Sequence, residues 1–229
     1  MKPVAIITGA SRGLGRALAT GLAEAGWRLV LDARTPSDLA AAAESIGGAV
    51  GDVVAVPGDV RDPAHRAALL DAAGEVDLLV NNAGILGPSP QPCLTAYPLD
   101  VLREVYEVNV LAPLALTQLA LPALRSRAGA VVTVSSDAAV EPYAGWGGYG
   151  SAKAAIEQAS AVLAVEEPAV RVWWVDPGDL RTRMHQEAFP GEDIGDRPLP
   201  ETVVPAFRHL VTSRPPSGRV RLAGLTVPA

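Results

Sequence analysis

Residues 4–15 read VAIITGASRGLG, and this stretch decides the fold. Its first four residues are all apolar, which predicts a strand buried on both faces. The glycine turn that follows leads into a helical pattern through Leu18 and Leu22 that stops at Gly26. A strand, a glycine turn and a helix in this order can bind phosphate, because glycines admit a pyrophosphate and the helix N-terminus offers free N–H groups. A tight turn without a ligand is the alternative.

Apolar runs and helical patterns keep alternating along the rest of the chain. Further strands are predicted at residues 29–31, 53–56, 76–80, 130–134, 170–175 and 219–222. Helices are predicted at residues 36–46 (Ser37 as N-cap, Gly47 and Gly48 as terminators), 62–74, 99–124 (kinked at Pro113 and Pro122), 149–166 and 201–210. The alternation predicts an α/β fold in which residues 1–229 form a single domain, a doubly wound parallel sheet of about seven strands with helices on both faces.

The distinctive polar and glycine residues follow the predicted strands. They are residues 8–15 after the first strand, Asp59 after the third, residues 81–84 after the fourth, residues 135–136 at the end of the fifth and residues 177–178 after the sixth. The carboxyl ends of parallel strands meet at one edge of a sheet, where ligands bind. The sequence therefore predicts one ligand crevice there.

The composition narrows the classes of function. The net charge is −6, which argues against nucleic acid as a partner. The only cysteine is Cys93, which fits a reducing, cytoplasmic compartment, and no residues have the spacing of metal ligands. The strand-like start at Val4 leaves no room for a signal peptide. The most apolar long stretch, residues 111–124, is too short to span a membrane and is broken by Thr117 and Gln118.

Tyr149 and Lys153 are four residues apart in a predicted helix and share one of its faces. A free phenol is a poor acid at neutral pH, and a lysine cation one turn away is expected to lower its pKa. The pair is suited to exchange a proton with an alcohol or carbonyl oxygen. A solvated helix face with no chemistry is the alternative, since such spacing is common.

The chain resembles the short-chain dehydrogenase/reductase family, which has a Rossmann fold, over nearly its whole length. The resemblance rests on Gly9, Gly13 and Gly15, residues 81–84 (NNAG), Asn109, Ser136, Tyr149 with Lys153, and Pro177-Gly178 with Thr182. In the family's pattern the catalytic serine stands thirteen residues before the tyrosine. Ser136 has that spacing and Ser135 does not.

The resemblance implies four catalytic residues. Tyr149 would be the general acid in reduction and the base in oxidation. Lys153 would lower the pKa of Tyr149 and hold the hydroxyls of the nicotinamide ribose. Ser136 would donate a hydrogen bond to the substrate oxygen. Asn109 would anchor a water molecule that links Lys153 to solvent; a hydrogen-bonding role at a helix kink is its alternative.

The family's cofactor site also maps onto this sequence. Asp59 would bond the adenine amino group, or simply form the turn before a helix. The implied contact residues are Gly9, Ser11, Arg12, Gly13, Leu14, Gly15, Arg34, Asp59, Val60, Asn82, Ala83, Gly84, Tyr149, Lys153, Pro177, Gly178 and Thr182.

Cofactor choice in this family is made at the end of the second strand, beside the adenosine ribose. Ala33 falls where NAD-dependent members have aspartate, and Arg34 where NADP-dependent members have an arginine for the 2′-phosphate. Arg12 is a second cation near that phosphate. Asp32 favours NAD(H) only if the strand bends, because it projects to the opposite side from residue 33. The resemblance implies NADP(H) as the preferred cofactor, with NAD(H) as the alternative.

The substrate pocket is expected around Ser136 and Tyr149, under a short lid at residues 180–200. The alternative for Trp146 is packing at the surface, and the alternative for His185 is a solvated position in a loop. Cys93 is expected to pack and to have no role in the chemistry. Asp176 departs from the family, which commonly has alanine before the proline. The candidate pocket residues are Asp137, Tyr143, Trp146, Met184, His185 and Phe189.

The expected function is that of an NADP(H)-dependent oxidoreductase, a carbonyl reductase or alcohol dehydrogenase acting on a small molecule. A catalytically silent NAD(P)-binding regulatory protein and an isomerase or dehydratase are the alternatives. The resemblance also implies a homodimer, or a tetramer, with no membrane or nucleic-acid partner. The dimer would pack through small and apolar residues of two helices: Ala112, Leu116, Leu119 and Ala120, and Ala155, Ala159, Val162 and Leu163.

Overall fold

A computed structural model describes residues 2–50 and 52–225. Its strands are β1 (Val4–Ile7), β2 (Arg28–Ala33), β3 (Val53–Pro57), β4 (Leu78–Asn81), β5 (Ala130–Val134), β6 (Arg171–Asp176) and β7 (Gly218–Arg221). They form one sheet in the order β3-β2-β1-β4-β5-β6-β7, and every neighbouring pair is parallel. The predicted doubly wound parallel sheet is therefore confirmed.

Helices cover both faces of the sheet. They are α1 (Gly13–Glu24), α2 (Pro36–Val50), α3 (Pro63–Ala73), α4 (Leu99–Tyr106), α5 (Ala112–Ser126), α6 (Gly147–Glu166), α7 (Arg183–Ala188) and α8 (Val204–Ser213). Ala5 and Ile7 of β1 pack in one core cluster with α1 and α8, whereas Val4 and Ile6 pack in a second cluster with α3 and α5. Successive side chains of a strand point to opposite faces, which is why β1 is apolar throughout.

The ends of α2 differ from the prediction. The helix begins at Pro36, so Ser37 lies within its first turn and is not the N-cap. It continues through Gly47 and Gly48 to Val50, so the two glycines do not terminate it. Glycine permits a helix end without requiring one. The predicted cap of α3 is correct, since the Asp62 side chain accepts from Ala64 N.

The predicted long helix consists of α4, a π-helical turn at Glu107–Leu111, and α5. The π turn interrupts the helix before Pro113, which lies in the first turn of α5, where proline is tolerated. The combined stretch, Leu99–Ser126, is long and apolar enough to cross a membrane by composition, but half of its apolar window is buried within the fold. That burial is typical of a core helix.

Candidate active site

The glycine turn brings the backbone close to α1 and to the loop after β4. Gly9 has a φ of 65°, and a Cβ there would lie 3.0 Å from Ala83 Cα. A Cβ on Gly15 would overlap Asn82 Nδ2 and the carbonyl oxygen of Gly9. The turn can therefore pack this closely against Asn82 and Ala83 only because these residues are glycines, and this packing shapes the hollow in front of α1. It fits the pyrophosphate of a dinucleotide.

Asn82 and Thr8 hold this turn in place. Asn82 Nδ2 donates to the carbonyl oxygens of Thr8 at 2.8 Å and Gly9 at 3.1 Å. Thr8 Oγ1 accepts from the backbone N–H groups of Asn82 and Ala83, both at 3.0 Å. Thr8 is buried, and sequence reasoning assigned it no role. Its only signal was its position at a strand end.

Asp32 is engaged within the protein. Its Oδ1 lies 2.7 Å from His65 Nε2, and its Oδ2 accepts from Gly9 N at 3.3 Å. Burial raises the pKa of Asp32, while the hydrogen bond to His65 opposes that shift. Both carboxylate oxygens are therefore engaged, Oδ1 with His65 and Oδ2 with the glycine turn, which weakens the case for Asp32 as a ribose ligand. The contribution of His65 was not foreseen.

Three arginines lie at or near the end of the site where the adenosine would bind, and they differ in whether a carboxylate pairs with them. Arg34 is exposed and makes no ion pair or side-chain hydrogen bond among residues 2–50 and 52–225. Arg12 Nη2 lies 3.1 Å from Asp38 Oδ2. Asp59 binds Arg61, and that hydrogen bond lowers the pKa of Asp59. Asp59 Oδ1 also accepts from Arg61 N, as in the turn before a helix.

A cavity of about 690 Å³ follows the carboxyl ends of the strands, from Arg34 to the residues of α7. Every cofactor-contact residue named from the sequence lines it, as do Ser136, Asp137, Trp146, Met184 and His185. Three predicted residues are not part of its wall: Asn109, Tyr143 and Phe189.

Tyr149 and Lys153 are both buried in this cavity, 7% and 5% exposed. Lys153 Nζ lies 5.5 Å from the centroid of the Tyr149 ring and donates to the Val134 carbonyl oxygen at 2.7 Å. Burial, with Asp137 and Asp176 nearby, raises the pKa of Tyr149. This direction is opposite to the lowered pKa expected from the sequence, because burial and the two carboxylates disfavour the phenolate. Burial lowers the pKa of Lys153 to about 8.

The two serines at the end of β5 have different surroundings. Ser136 is half-buried and lines the cavity. Its Oγ donates to Asp137 Oδ1 at 2.9 Å and accepts from Ala138 N at 3.2 Å. Ser135 is buried, and its Oγ donates to Glu157 Oε1 at 2.5 Å. Ser135 also borders the cavity, but its hydroxyl is bound to the buried Glu157, whereas the half-buried hydroxyl of Ser136 can exchange Asp137 for a ligand.

Asn109 lies in the π turn, behind the cavity wall. Its Oδ1 accepts from Ile85 N at 2.9 Å, and its Nδ2 donates to the Ile85 carbonyl oxygen at 2.8 Å. Both ends of the amide are thus used to fix the segment after β4. These contacts match the alternative assigned from the sequence, a hydrogen-bonding role at an irregular helix turn.

Aromatic side chains close the end of the cavity beside Tyr149. The Trp146 ring lies 5.9 Å from both Tyr149 and Phe189, measured between centroids. His185 stacks on Phe189 at 4.9 Å. Its side chain is only 10% exposed, and its Nε2 has no hydrogen-bond partner in the described part of the chain. His185 is therefore not a solvated loop residue; it lies on α7, a helix that the sequence did not predict.

Two further predicted residues lie at the surface. Tyr143 is 47% exposed, and its hydroxyl donates to Asp137 Oδ2 at 3.1 Å. It therefore supports the pocket from outside the cavity wall. Cys93 is exposed, so the packing role expected for it is not what the structure shows.

The fold and the site define a dinucleotide-binding α/β protein with a buried tyrosine–lysine pair beside the cofactor cradle. A family model described as short chain dehydrogenase matches residues 3–193. The chain belongs to the short-chain dehydrogenase family and is an oxidoreductase of that family.

Relatives and solved structures agree with this membership. Mouse sepiapterin reductase is 37% identical over 201 residues, which are 81% of this chain and 77% of that protein. A short chain dehydrogenase from Shigella flexneri complexed with NADP has a TM-score of 0.89 at 29% identity, covering 96% of this chain and 97% of that one. One from Escherichia coli CFT073 complexed with NADPH has a TM-score of 0.89 at 30% identity, covering 96% of both chains.

The buried Lys153 predicts a pH-dependent stability. Burial lowers the pKa of Lys153 in the folded protein, so burying its ammonium group costs folding free energy. This cost is complete below about pH 8 and disappears as the pH rises toward the pKa that the lysine has in the unfolded chain. Lys153→Met removes the penalty. We expect the variant's stability relative to wild type to fall by on the order of 2 kcal/mol between pH 7 and pH 10. Urea unfolding of both proteins at each pH measures this, and a difference independent of pH would contradict the assignment.

Proposed function

We propose that this protein is an NADP(H)-dependent oxidoreductase that transfers a hydride between the nicotinamide and a carbonyl or alcohol substrate. The observation that carries the proposal is the shared cavity. The glycine cradle for a pyrophosphate and the buried pair of Tyr149 and Lys153 line the same space. When bound, the cofactor supplies the hydride.

The residues of this chain supply the proton and the orientation. The phenol of Tyr149 is protonated at neutral pH and lines the cavity, so it would donate its proton to a carbonyl oxygen. Ser136 would donate a second hydrogen bond to that oxygen and stabilise its developing charge. Lys153 would keep a positive charge beside the phenol. Asn109 would act through Ile85, by fixing the cavity wall.

The proposed preference for NADP(H) rests on Arg34. Its guanidinium group has no partner among the described residues and borders the adenosine end of the cavity. A guanidinium group matches a 2′-phosphate through its planar fork of donors. Two similar structures were solved with NADP or NADPH.

The catalytic proposal predicts the outcome of Tyr149→Phe. The substitution removes only the phenolic oxygen, so carbonyl reduction should fall by at least about a hundredfold through loss of the general acid. Fluorescence titration should show NADPH affinity changed by less than about threefold, since the cradle is intact. Initial rates of NADPH oxidation with a panel of carbonyl compounds give the first quantity.

Tyr106→Phe is the matched control, because it removes the same atom from a half-buried tyrosine of α4. Its turnover should equal that of wild type. Wild-type turnover in Tyr149→Phe would refute the assigned acid. Loss of NADPH binding in that variant would show that the tyrosine acts on the cofactor and not on the proton.

Arg34→Ala tests the cofactor preference. A charge-assisted phosphate contact is worth about 1.5–3 kcal/mol, so its loss should lower kcat/KM for NADPH by about 10- to 100-fold. The value for NADH should stay nearly constant, because NADH has no 2′-phosphate. Arg61→Ala, which removes a nearby cation paired with Asp59, should retain the preference. Equal efficiency with both cofactors in the wild type would contradict the proposal.

We further propose that the protein is cytoplasmic and forms a homodimer through α5 and α6. A surface groove between these helices is lined by Leu114, Leu121, Val162 and Leu163 together with polar residues such as Gln118, Gln158 and Glu166. Leu119 of α5 is 48% exposed. Part of the helix surface that the sequence suggested for the dimer interface cannot contribute to it, however. Ala112, Leu116 and Ala120 are buried in the chain's own core and need no partner.

Light scattering at micromolar concentration should give twice the 23.6 kDa mass of the chain. Val162→Asp places a charge in the groove and should shift the mass toward the monomer, because burying an unpaired carboxylate is costly. Leu199→Asp, at an exposed residue before α8, should leave the mass unchanged. A monomeric wild type would rule out the dimer.

A further inference from the structure

A set of charged and hydrogen-bonding side chains lies behind Ser136, and the proposed reaction gives none of them a direct role. We call it the Glu157 cluster; it consists of Ser135, Glu157, Asp176 and Arg219. Glu157 is four residues after Lys153 and on the same face of α6. Glu157 and Asp176 are 8% and 2% exposed, and the side chain of Arg219 is 28% exposed. Buried carboxylates require compensation by cations or hydrogen bonds.

Arg219 supplies much of that compensation from β7, at the edge of the sheet. Its Nε donates to Glu157 Oε1 at 3.1 Å and Oε2 at 3.3 Å. Its Nη2 lies 3.5 Å from Asp176 Oδ2. The same Nη2 donates to the backbone carbonyl oxygen of Ser136 at 3.1 Å. One guanidinium group therefore joins the helix of Tyr149, the end of β6 and the backbone of Ser136.

Each partner of Arg219 is adjacent to a group that the proposed reaction uses. Ser135, which donates to Glu157, precedes Ser136 in the chain. Glu157 opposes the lowering of the Lys153 pKa by burial. Asp176 contributes to the raised pKa of Tyr149, and its Oδ1 accepts from Gly178 N in the cavity wall.

We propose that Arg219 is a positioning residue for the reaction: by binding Glu157, Asp176 and the Ser136 carbonyl, it fixes Ser136 and balances the charges around Tyr149 and Lys153. The inference rests on the proposed function for its catalytic meaning, but the positioning of Ser136 is a property of the chain itself. Arg219 does not line the cavity and touches no reacting atom.

Arg219→Met tests the inference, with Arg221→Met as the matched control. Arg221→Met removes the same charge from the same strand, but the Arg221 side chain is 66% exposed, and within residues 2–50 and 52–225 its one ion pair is with Asp176, at 3.7 Å. Arg219→Met should lower kcat for carbonyl reduction by about tenfold or more, because a factor of that size corresponds to the loss of one charged hydrogen bond. The Kd for NADPH should not change. Arg221→Met should match wild type in both. Arg219→Lys, which keeps the charge, should recover part of kcat.

Hydrogen exchange provides a readout that needs no turnover. Amides of residues 135–139 should exchange faster in Arg219→Met than in wild type or Arg221→Met. The double variant Arg219→Met/Glu157→Gln removes the uncompensated carboxylate, so it should regain thermal stability but neither kcat nor slow exchange.

Three results would overturn the inference: wild-type exchange in Arg219→Met, wild-type kcat in that variant, or full recovery of kcat in the double variant. The last would show that Arg219 only neutralises Glu157. An inactive wild type would refute the proposed function alone, and the exchange measurement would still decide whether Arg219 positions Ser136.

Discussion

The amide group of Asn82 joins the loop after β4 to the glycine turn after β1, and the cofactor half of the cavity depends on that contact. Asn82 can reach the carbonyl oxygens of Thr8 and Gly9 only because Gly15 has no side chain in the same space. Two neighbouring strands thus end in one rigid cradle, with α1 beginning directly beside it. Asp32 supports the turn from below through Gly9 N. A preformed cradle reduces the ordering cost that a flexible glycine loop would add to cofactor binding.

The reactive half of the cavity depends on a balance of buried charges. Tyr149 and Lys153 lie against β5, where burial favours the neutral form of both side chains. The carboxylates of Glu157 and Asp176 shift that balance, and Arg219 compensates them from the far edge of the sheet. This arrangement connects a short last strand, remote in sequence from Tyr149, to the charged groups that surround that tyrosine. It also explains the aspartate at position 176, which pairs with a cation that β7 provides.

Patterns within one element were predictable, and contacts between distant elements were not. The apolar run of β1 and the alternation that follows determine a parallel sheet, and its strand ends collect the candidate cofactor residues at one cavity. The sequence missed α7, because six residues give less than two full helical turns of pattern. It misplaced the end of α2 by treating two glycines as a stop. Arg219 gave no local signal, since its contacts to Glu157 and Ser136 span 62 and 83 residues. The pKa direction of Tyr149 needed its burial, which spacing alone does not reveal.

The proposed function depends on one step, the passage of a hydride from NADPH to a carbonyl carbon in this cavity. Isotope transfer can follow that step. The enzyme would be incubated with NADPH deuterated at the transferring C4 position and a panel of carbonyl compounds, and the alcohol products analysed by mass spectrometry and NMR. We expect one deuterium at the carbinol carbon of the product, with a proton from solvent on its oxygen. Product without deuterium, or a substrate rearranged or dehydrated while the NADPH remains intact, would contradict it.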